Sequence, residues 1–253
     1  AGTYSYTITE NAVTADGITK DTATYSVEVT VSDDNAGTLT AEAVIKNGDN
    51  QAVDTATFTN TFTPATLGGE GADDAITITK NLTGRAWQEG DVFEFTIEGD
   101  ENTQNAIEAG TVELPDTLTI SHSSTNVEEG LVASFFQNIA DFFTGNDTVS
   151  YEKTGNFGTI TFNEAGTYTF LIKETAGSNE DISYDDSTYK VSVTVTKDKE
   201  TNALTADISS IEKANSESET GWDPASSIVF TNAATASENT KSVQTIGDDN
   251  QVI

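Results

Sequence analysis

Apolar and polar side chains alternate one by one through several short stretches: Tyr4-Ser5-Tyr6-Thr7-Ile8, Tyr25 to Val31, Val92 to Ile97 and Tyr189 to Val195. A period of two, rich in aromatic and β-branched residues, predicts half-buried β-strands. Gly, Asn and Asp clusters separate them, and only 3 prolines occur in the chain. The expected class is therefore all-β, an antiparallel sandwich and not a parallel α/β sheet. One stretch departs from the pattern. Leu131, Phe135, Ile139 and Phe142 recur at helical spacing, which predicts a crossover helix near 131–143 with its apolar stripe packed on the sandwich.

The strands repeat. Gly2-Thr3-Tyr4-Ser5-Tyr6-Thr7-Ile8-Thr9-Glu10 aligns without a gap on Gly166-Thr167-Tyr168-Thr169-Phe170-Leu171-Ile172-Lys173-Glu174. Ile18 then follows Ile182, Tyr25 to Val31 follows Tyr189 to Val195, Leu39-Thr40-Ala41 follows Leu204-Thr205-Ala206, and Phe58-Thr59-Asn60 follows Phe230-Thr231-Asn232. Two copies of one unit are present. The second has about ninety residues ahead of Gly166, and the first begins at the equivalent point. Residues 1–62 are thus expected to be the C-terminal half of an upstream domain and 75–234 a complete one. Between them 63–74 reads as a Gly-rich linker, and 235–253 as a polar tail.

Composition narrows the function. A net charge of -31, from 42 acidic and 11 basic side chains, repels phosphate backbones and anionic headgroups, so nucleic acid is not an expected partner. No apolar run approaches the roughly 20 residues that span a bilayer, so membrane insertion is not expected in this segment. With no cysteine in the chain, neither a disulfide nor thiol catalysis is available. Yet 35% of the residues are hydrophobic, in ordered alternation, which argues against a disordered acidic chain.

Alternation also shows which polar side chains point inward. Ile76, Ile78, Lys80 and Leu82 share one face; so do Tyr168, Phe170, Ile172 and Glu174, and so do Ile228, Phe230 and Asn232. One lysine, one glutamate and one asparagine therefore continue three apolar faces. An unpaired charge buried there costs several kcal/mol, so each requires a partner or an altered protonation state. At strand ends the same residues could simply reach solvent, with Lys80 and Glu174 as a rim ion pair. Against that, Glu10 and Asn60 recur on equivalent faces in the first copy.

The phrases Ile76 to Arg85, Gly166 to Glu174, Ile182-Ser183-Tyr184-Asp185 and Ile228 to Asn232 resemble the streptococcal-type pilin isopeptide-linkage domain of Gram-positive pilins and adhesins. That family has a CnaB-like, immunoglobulin-related sandwich. The resemblance covers nearly all of 75–234, and its back half covers 1–62. It implies a spontaneous amide between Lys80 and Asn232 with Glu174 as catalyst, no cofactor and no metal, and single-turnover self-modification in place of enzymatic turnover. It further implies a stalk or fibre segment at the surface or cell wall of a Gram-positive bacterium. Other copies or domains of that fibre, and a host or neighbouring-cell ligand, are the implied partners.

The chemistry has its own physical demands. Lysine attacks an amide only when neutral, so burial must lower its pKa from about 10.4. Phe93, Phe95, Tyr168 and Phe170 are the expected desolvating shell. The same burial raises the pKa of Glu174, which is expected to hydrogen-bond the Asn232 amide oxygen, polarise the carbonyl and pass protons to departing ammonia.

Other chemistries compete. A secreted carbohydrate- or calcium-dependent binding module would use the acidic loops Asp33-Asp34-Asn35, Glu98 to Asn102 and Asp185-Asp186, which lack the regular oxygen spacing of a calcium loop. A hydrolase with paired carboxylates has no placeable pair. His122, the one histidine, lies in a polar run with no partners for a triad or zinc site, and Trp87 and Trp222 read as packing residues. In the first copy Glu10 and Asn60 lack a first-strand lysine, since Lys20 and Lys46 are out of place. The missing upstream half is the simplest expected completion of this half-domain; the alternative is a strand from another copy, with Lys241 of a neighbouring subunit, in the alternating tail, as the amine for a site completed in trans.

Overall fold

A computed structural model describes residues 1–69, 72–115, 118–121, 150–219 and 221–235. The helix expected at 131–143, His122 and the tail with Lys241 lie outside the described residues.

The fold is all-β, with one short helix among the described residues. In the first unit β1 (Gly2–Thr9), β3 (Thr24–Asp33), β4 (Leu39–Lys46) and β5 (Ala52–Val53) form an antiparallel sheet in the order β1-β3-β4-β5, while β2 (Ile18–Thr19) pairs with β6 (Thr61–Phe62). Its inner face is open: Tyr4 is 51% and Tyr6 58% exposed.

In the second unit the alternating stretches close around a core. One sheet has the order β11-β9-β14-β16-β17-β18, from β9 (Val92–Gly99), β11 (Leu118–Ser121), β14 (Gly166–Thr175), β16 (Thr188–Lys197), β17 (Leu204–Ala214) and β18 (Trp222–Pro224). Facing it, β12 (Ser150–Asn156), β8 (Thr77–Thr83), β19 (Ile228–Ala234) and β15 (Ile182–Ser183) lie in the order β12-β8-β19-β15. The inner faces interlock, with the Phe95 and Phe230 rings 5.2 Å apart. β8 and β19 run parallel, with Ile228 opposite Ile78 and Phe230 opposite Lys80. Just after β8, Gly84 takes φ +86°, and a Cβ there would collide with the Ala234 carbonyl oxygen, so only glycine lets the two strand ends approach.

Two expectations are corrected. The stretch expected as linker contains β7 (Ala65–Leu67), which adds to β13 (Ile160–Phe162) and β10 (Val112–Glu113) in a third sheet. Ala65 and Leu67 are buried in the second unit's core, because two alternating apolar side chains outweigh the glycines that follow them. The acidic loop at 98–102 in fact opens a helix, α1 (Glu101–Glu108), whose first turn is capped by the Asp100 side chain accepting from Thr103 N.

The two units meet through the loop after β1. Asp16 pairs with Lys197 at 2.7 Å and accepts from Ala165 N at 2.8 Å, while Asn202 Nδ2 donates to the Val13 carbonyl at 2.9 Å.

Candidate functional site

Strand phase carries Lys80 to the middle of the inner face of β8, Glu174 near the end of β14 and Asn232 into β19. All three side chains meet. Lys80 Nζ donates to Glu174 Oε2 at 2.6 Å, and Asn232 Nδ2 donates to Glu174 Oε1 at 2.7 Å. Lys80 and Asn232 are 0% exposed, as is the Glu174 side chain. Water is excluded from the whole cluster.

Burial sets the electrostatics. It pushes the Lys80 ammonium below its ordinary pKa, against the opposing pull of Glu174. It pushes the Glu174 carboxyl up, against hydrogen bonds from Lys80 and Asn232. Both shifts favour a neutral amine beside a neutral acid.

Of the four shell residues expected, two surround the ammonium: the Phe93 ring centroid lies 4.8 Å and that of Phe95 6.0 Å from Lys80 Nζ. Trp87 packs edge-on against Phe93 at 5.1 Å. Tyr168 and Phe170 pack elsewhere, tilted against Phe162 with ring centroids at 5.0 and 6.3 Å. Sharing a face is not sharing a site: at ~3.3 Å per residue, Tyr168 lies ~20 Å and Phe170 ~13 Å along the strand from Glu174.

The amide orientation also differs from expectation. Asn232 Oδ1 accepts from Asp185 N at 2.8 Å, not from Glu174. A backbone N–H can only donate, so the atom facing it is the oxygen, and Glu174 faces the nitrogen that would leave. Asp185, read from sequence as part of an acidic loop and of the phrase Ile182 to Asp185 but given no role, is thus in the cluster. Its carboxylate accepts from Thr231 N at 2.7 Å and Ser187 N at 2.8 Å. The other acidic loops likewise spend carboxylates on backbone N–H groups: Asp33 on Asn35, Asp34 on Ala36 and Thr38.

The first unit repeats the cluster without the lysine. Asn60 Nδ2 donates to Glu10 Oε1 at 2.6 Å, Asn60 Oδ1 accepts from Asp21 N at 2.8 Å, and Asp21 accepts from Thr59 N at 2.7 Å. Tyr25 packs edge-to-face on Phe58 at 5.4 Å as Tyr189 does on Phe230 at 5.2 Å. Glu10 Oε2, the counterpart of the oxygen that takes Lys80, is buried with no hydrogen-bond partner among the described residues. Lys20 donates to the Glu10 backbone carbonyl and Lys46 to Glu28, so neither fills the place. Lys241 lies outside the described residues.

Residues 1–63 and 76–235 match the family described as FctA, Spy0128-like isopeptide containing domain. No curated protein matches the chain in sequence. Among solved structures, the major pilin T-13 from Streptococcus pyogenes serotype GAS131465 is similar at 19% identity and a TM-score of 0.36, over 68% of this chain. This chain spans 55% of that pilin's length. The T3.2 major pilin from Streptococcus pyogenes serotype GAS13637 is similar at 15% identity and a TM-score of 0.33, over 92% of this chain and 68% of that one. A further Streptococcus pyogenes major pilin is similar at 17% identity and a TM-score of 0.32, over 92% and 70%.

Proposed function

We propose that this chain, which belongs to the FctA family of Spy0128-like isopeptide-containing domains, is a structural segment of a Gram-positive surface pilus or adhesin stalk, locked by a self-formed amide between Lys80 and Asn232. The observation that carries the proposal is one buried carboxylate bridging the two nitrogens that would exchange places.

Glu174 takes a proton from the Lys80 ammonium, leaving a neutral amine. The Nζ lone pair attacks Asn232 Cγ, and the Cγ–Nδ2 bond breaks as Glu174 returns a proton to Nδ2. Ammonia departs, the new amide nitrogen gives up its second proton to Glu174, and the carboxyl ends protonated. No oxidant or second substrate is needed. Contact between the groups supplies a large effective molarity, and the dry site strengthens each polar interaction. The reaction consumes its own residues, so the protein turns over once.

The first unit supports the same chemistry in waiting. Its orphaned Glu10 Oε2 and its ready Asn60 amide call for one ammonium, and a lysine strand, with Lys241 of a neighbouring copy as the candidate, would supply it.

Intact mass of the folded protein tests the central proposal. A deficit of one ammonia per bond, with Lys80 and Asn232 in a branched peptide, is expected; full mass in folded protein overturns it.

A further inference from the structure

An amide attacked by an amine develops negative charge on its oxygen, and both Glu174 oxygens are already committed to nitrogen. The oxygen is served from the opposite side by Asp185 N at 2.8 Å. We propose that the Asp185 backbone N–H is the oxyanion donor of the crosslinking reaction, and that the Asp185 carboxylate is the positioning group that aims it. The proposal rests on the Lys80–Asn232 reading above.

The donor's place is over-determined. One carboxylate oxygen of Asp185 accepts from Ser187 N, which closes a tight local turn. The other accepts from Thr231 N, 46 residues away on β19 and adjacent to Asn232. A turn alone requires the first contact and not the second. Together they fix the loop after β15 against the strand that carries the reacting amide, so the N–H and the oxygen cannot drift apart. Removing donors from such a pre-set arrangement exposes the developing charge with nothing to replace them in a water-free site.

The arrangement occurs twice. Asp21 N serves Asn60 Oδ1 at 2.8 Å, and the Asp21 carboxylate accepts from Thr59 N and Ala23 N, both at 2.7 Å. There no lysine among the described residues bonds the Glu10 carboxylate, Lys20 reaching only its backbone carbonyl, so the aspartate does not owe its geometry to an amine in the site.

In the step itself, attack of the Lys80 Nζ lone pair moves the carbonyl π pair onto Oδ1, where the Asp185 N–H holds it. The pair re-forms the carbonyl as the Cγ–Nδ2 bond breaks and ammonia leaves with the proton returned by Glu174. Asp185 loses and gains no proton.

The test uses the full chain made by cell-free synthesis, quenched in denaturant at intervals and weighed intact. Replacing Asp185 by its α-hydroxy acid turns the donor N–H into an ester oxygen and leaves the carboxylate; crosslinking is expected to slow about a hundred-fold. Asp185→Ala, which frees the loop, is expected to slow it roughly tenfold or more. Folding of each variant is checked by melting in a Glu174→Ala background, where no bond forms. The pH–rate profile should keep its shape, because an N–H donor does not titrate, whereas a change acting through the Lys80–Glu174 proton would move its limbs. A wild-type rate in the folded ester variant overturns the donor, and one in folded Asp185→Ala overturns the positioning role. Should Asp185→Ala not fold, Asp185→Asn takes its place, keeping the shape and losing one acceptor. A wild-type chain that keeps its ammonia instead overturns the crosslink itself, a separate and recognisable result.

Discussion

Lys80 and Asn232 lie two residues out of step on adjacent parallel strands, each donating to a different oxygen of Glu174. The ammonium and the amide are therefore held by a single group that can accept from one nitrogen and give to the other.

Glu174→Ala is expected to leave folded but uncrosslinked protein, with a mass equal to that of the sequence. Glu174→Gln keeps the size and loses the proton shuttle, so crosslinking should slow by about 10²–10⁴-fold. Both lose the loop closure, worth ~4 kcal/mol or more on a chain-entropy basis, and should melt lower and yield to trypsin sooner. Normal crosslinking in Glu174→Ala refutes the catalytic assignment.

The rate of bond formation should be flat through neutral pH. Burial lowers the Lys80 pKa and raises that of Glu174, yet the ion pair and the neutral pair hold the same single proton, so exchanging one for the other takes none from solvent. The rate then falls only where the pair gains a second proton in acid or loses its last in alkali. A tenfold rise per pH unit across neutrality, as for a solvated lysine, would refute the buried-pair mechanism.

Much of this was legible in the sequence because strand phase is local. Period two alone placed Ile78, Lys80 and Leu82 inward, where they are buried, but it left open a Lys80–Glu174 pair that was only a rim contact, whereas both side chains are fully buried. Distance along a strand is equally local, and Tyr168 was misplaced because facing inward was equated with being near. What phase cannot give is which loop folds over a strand end. The Asp185 contacts join residues 46 and 47 positions apart, and the amide's orientation depends on them. β7 was hidden because Gly68 and Gly69 dominate a stretch whose Ala65 and Leu67 are the buried pair.

The first unit should accept a lysine. If Lys241 of another copy supplies it, denaturing electrophoresis of assembled protein shows a ladder of covalent multimers, lost in both Lys241→Ala and Asn60→Ala. A ladder lost only in Asn60→Ala assigns another amine; a single monomeric band removes the covalent link between copies.

The joint between the units should loosen in acid. The Asp16 pKa is lowered by its hydrogen bonds from Lys197 and Ala165. A carboxylate with a depressed folded pKa contributes above its unfolded value of 3.8 and loses that contribution as pH falls through the folded one. Because the pair is partly exposed, the effect is on orientation more than on global stability. Asp16→Asn at neutral pH should mimic it, with faster amide exchange at Ala165 and a broader range of interunit angles in small-angle scattering; unchanged exchange there would refute the role.

The parallel pairing of β8 with β19 also decides how long the molecule can become. Tension entering along β8 meets Lys80 and, with the amide in place, crosses to Asn232 and leaves along β19, only two residues further by register. The roughly 150 residues between them hang as a closed ring off that path. Drawn straight they would add ~500 Å, and none of it can be released. A stalk built of such units would have nearly constant length under load and would pass a sudden pull to its anchor almost undamped.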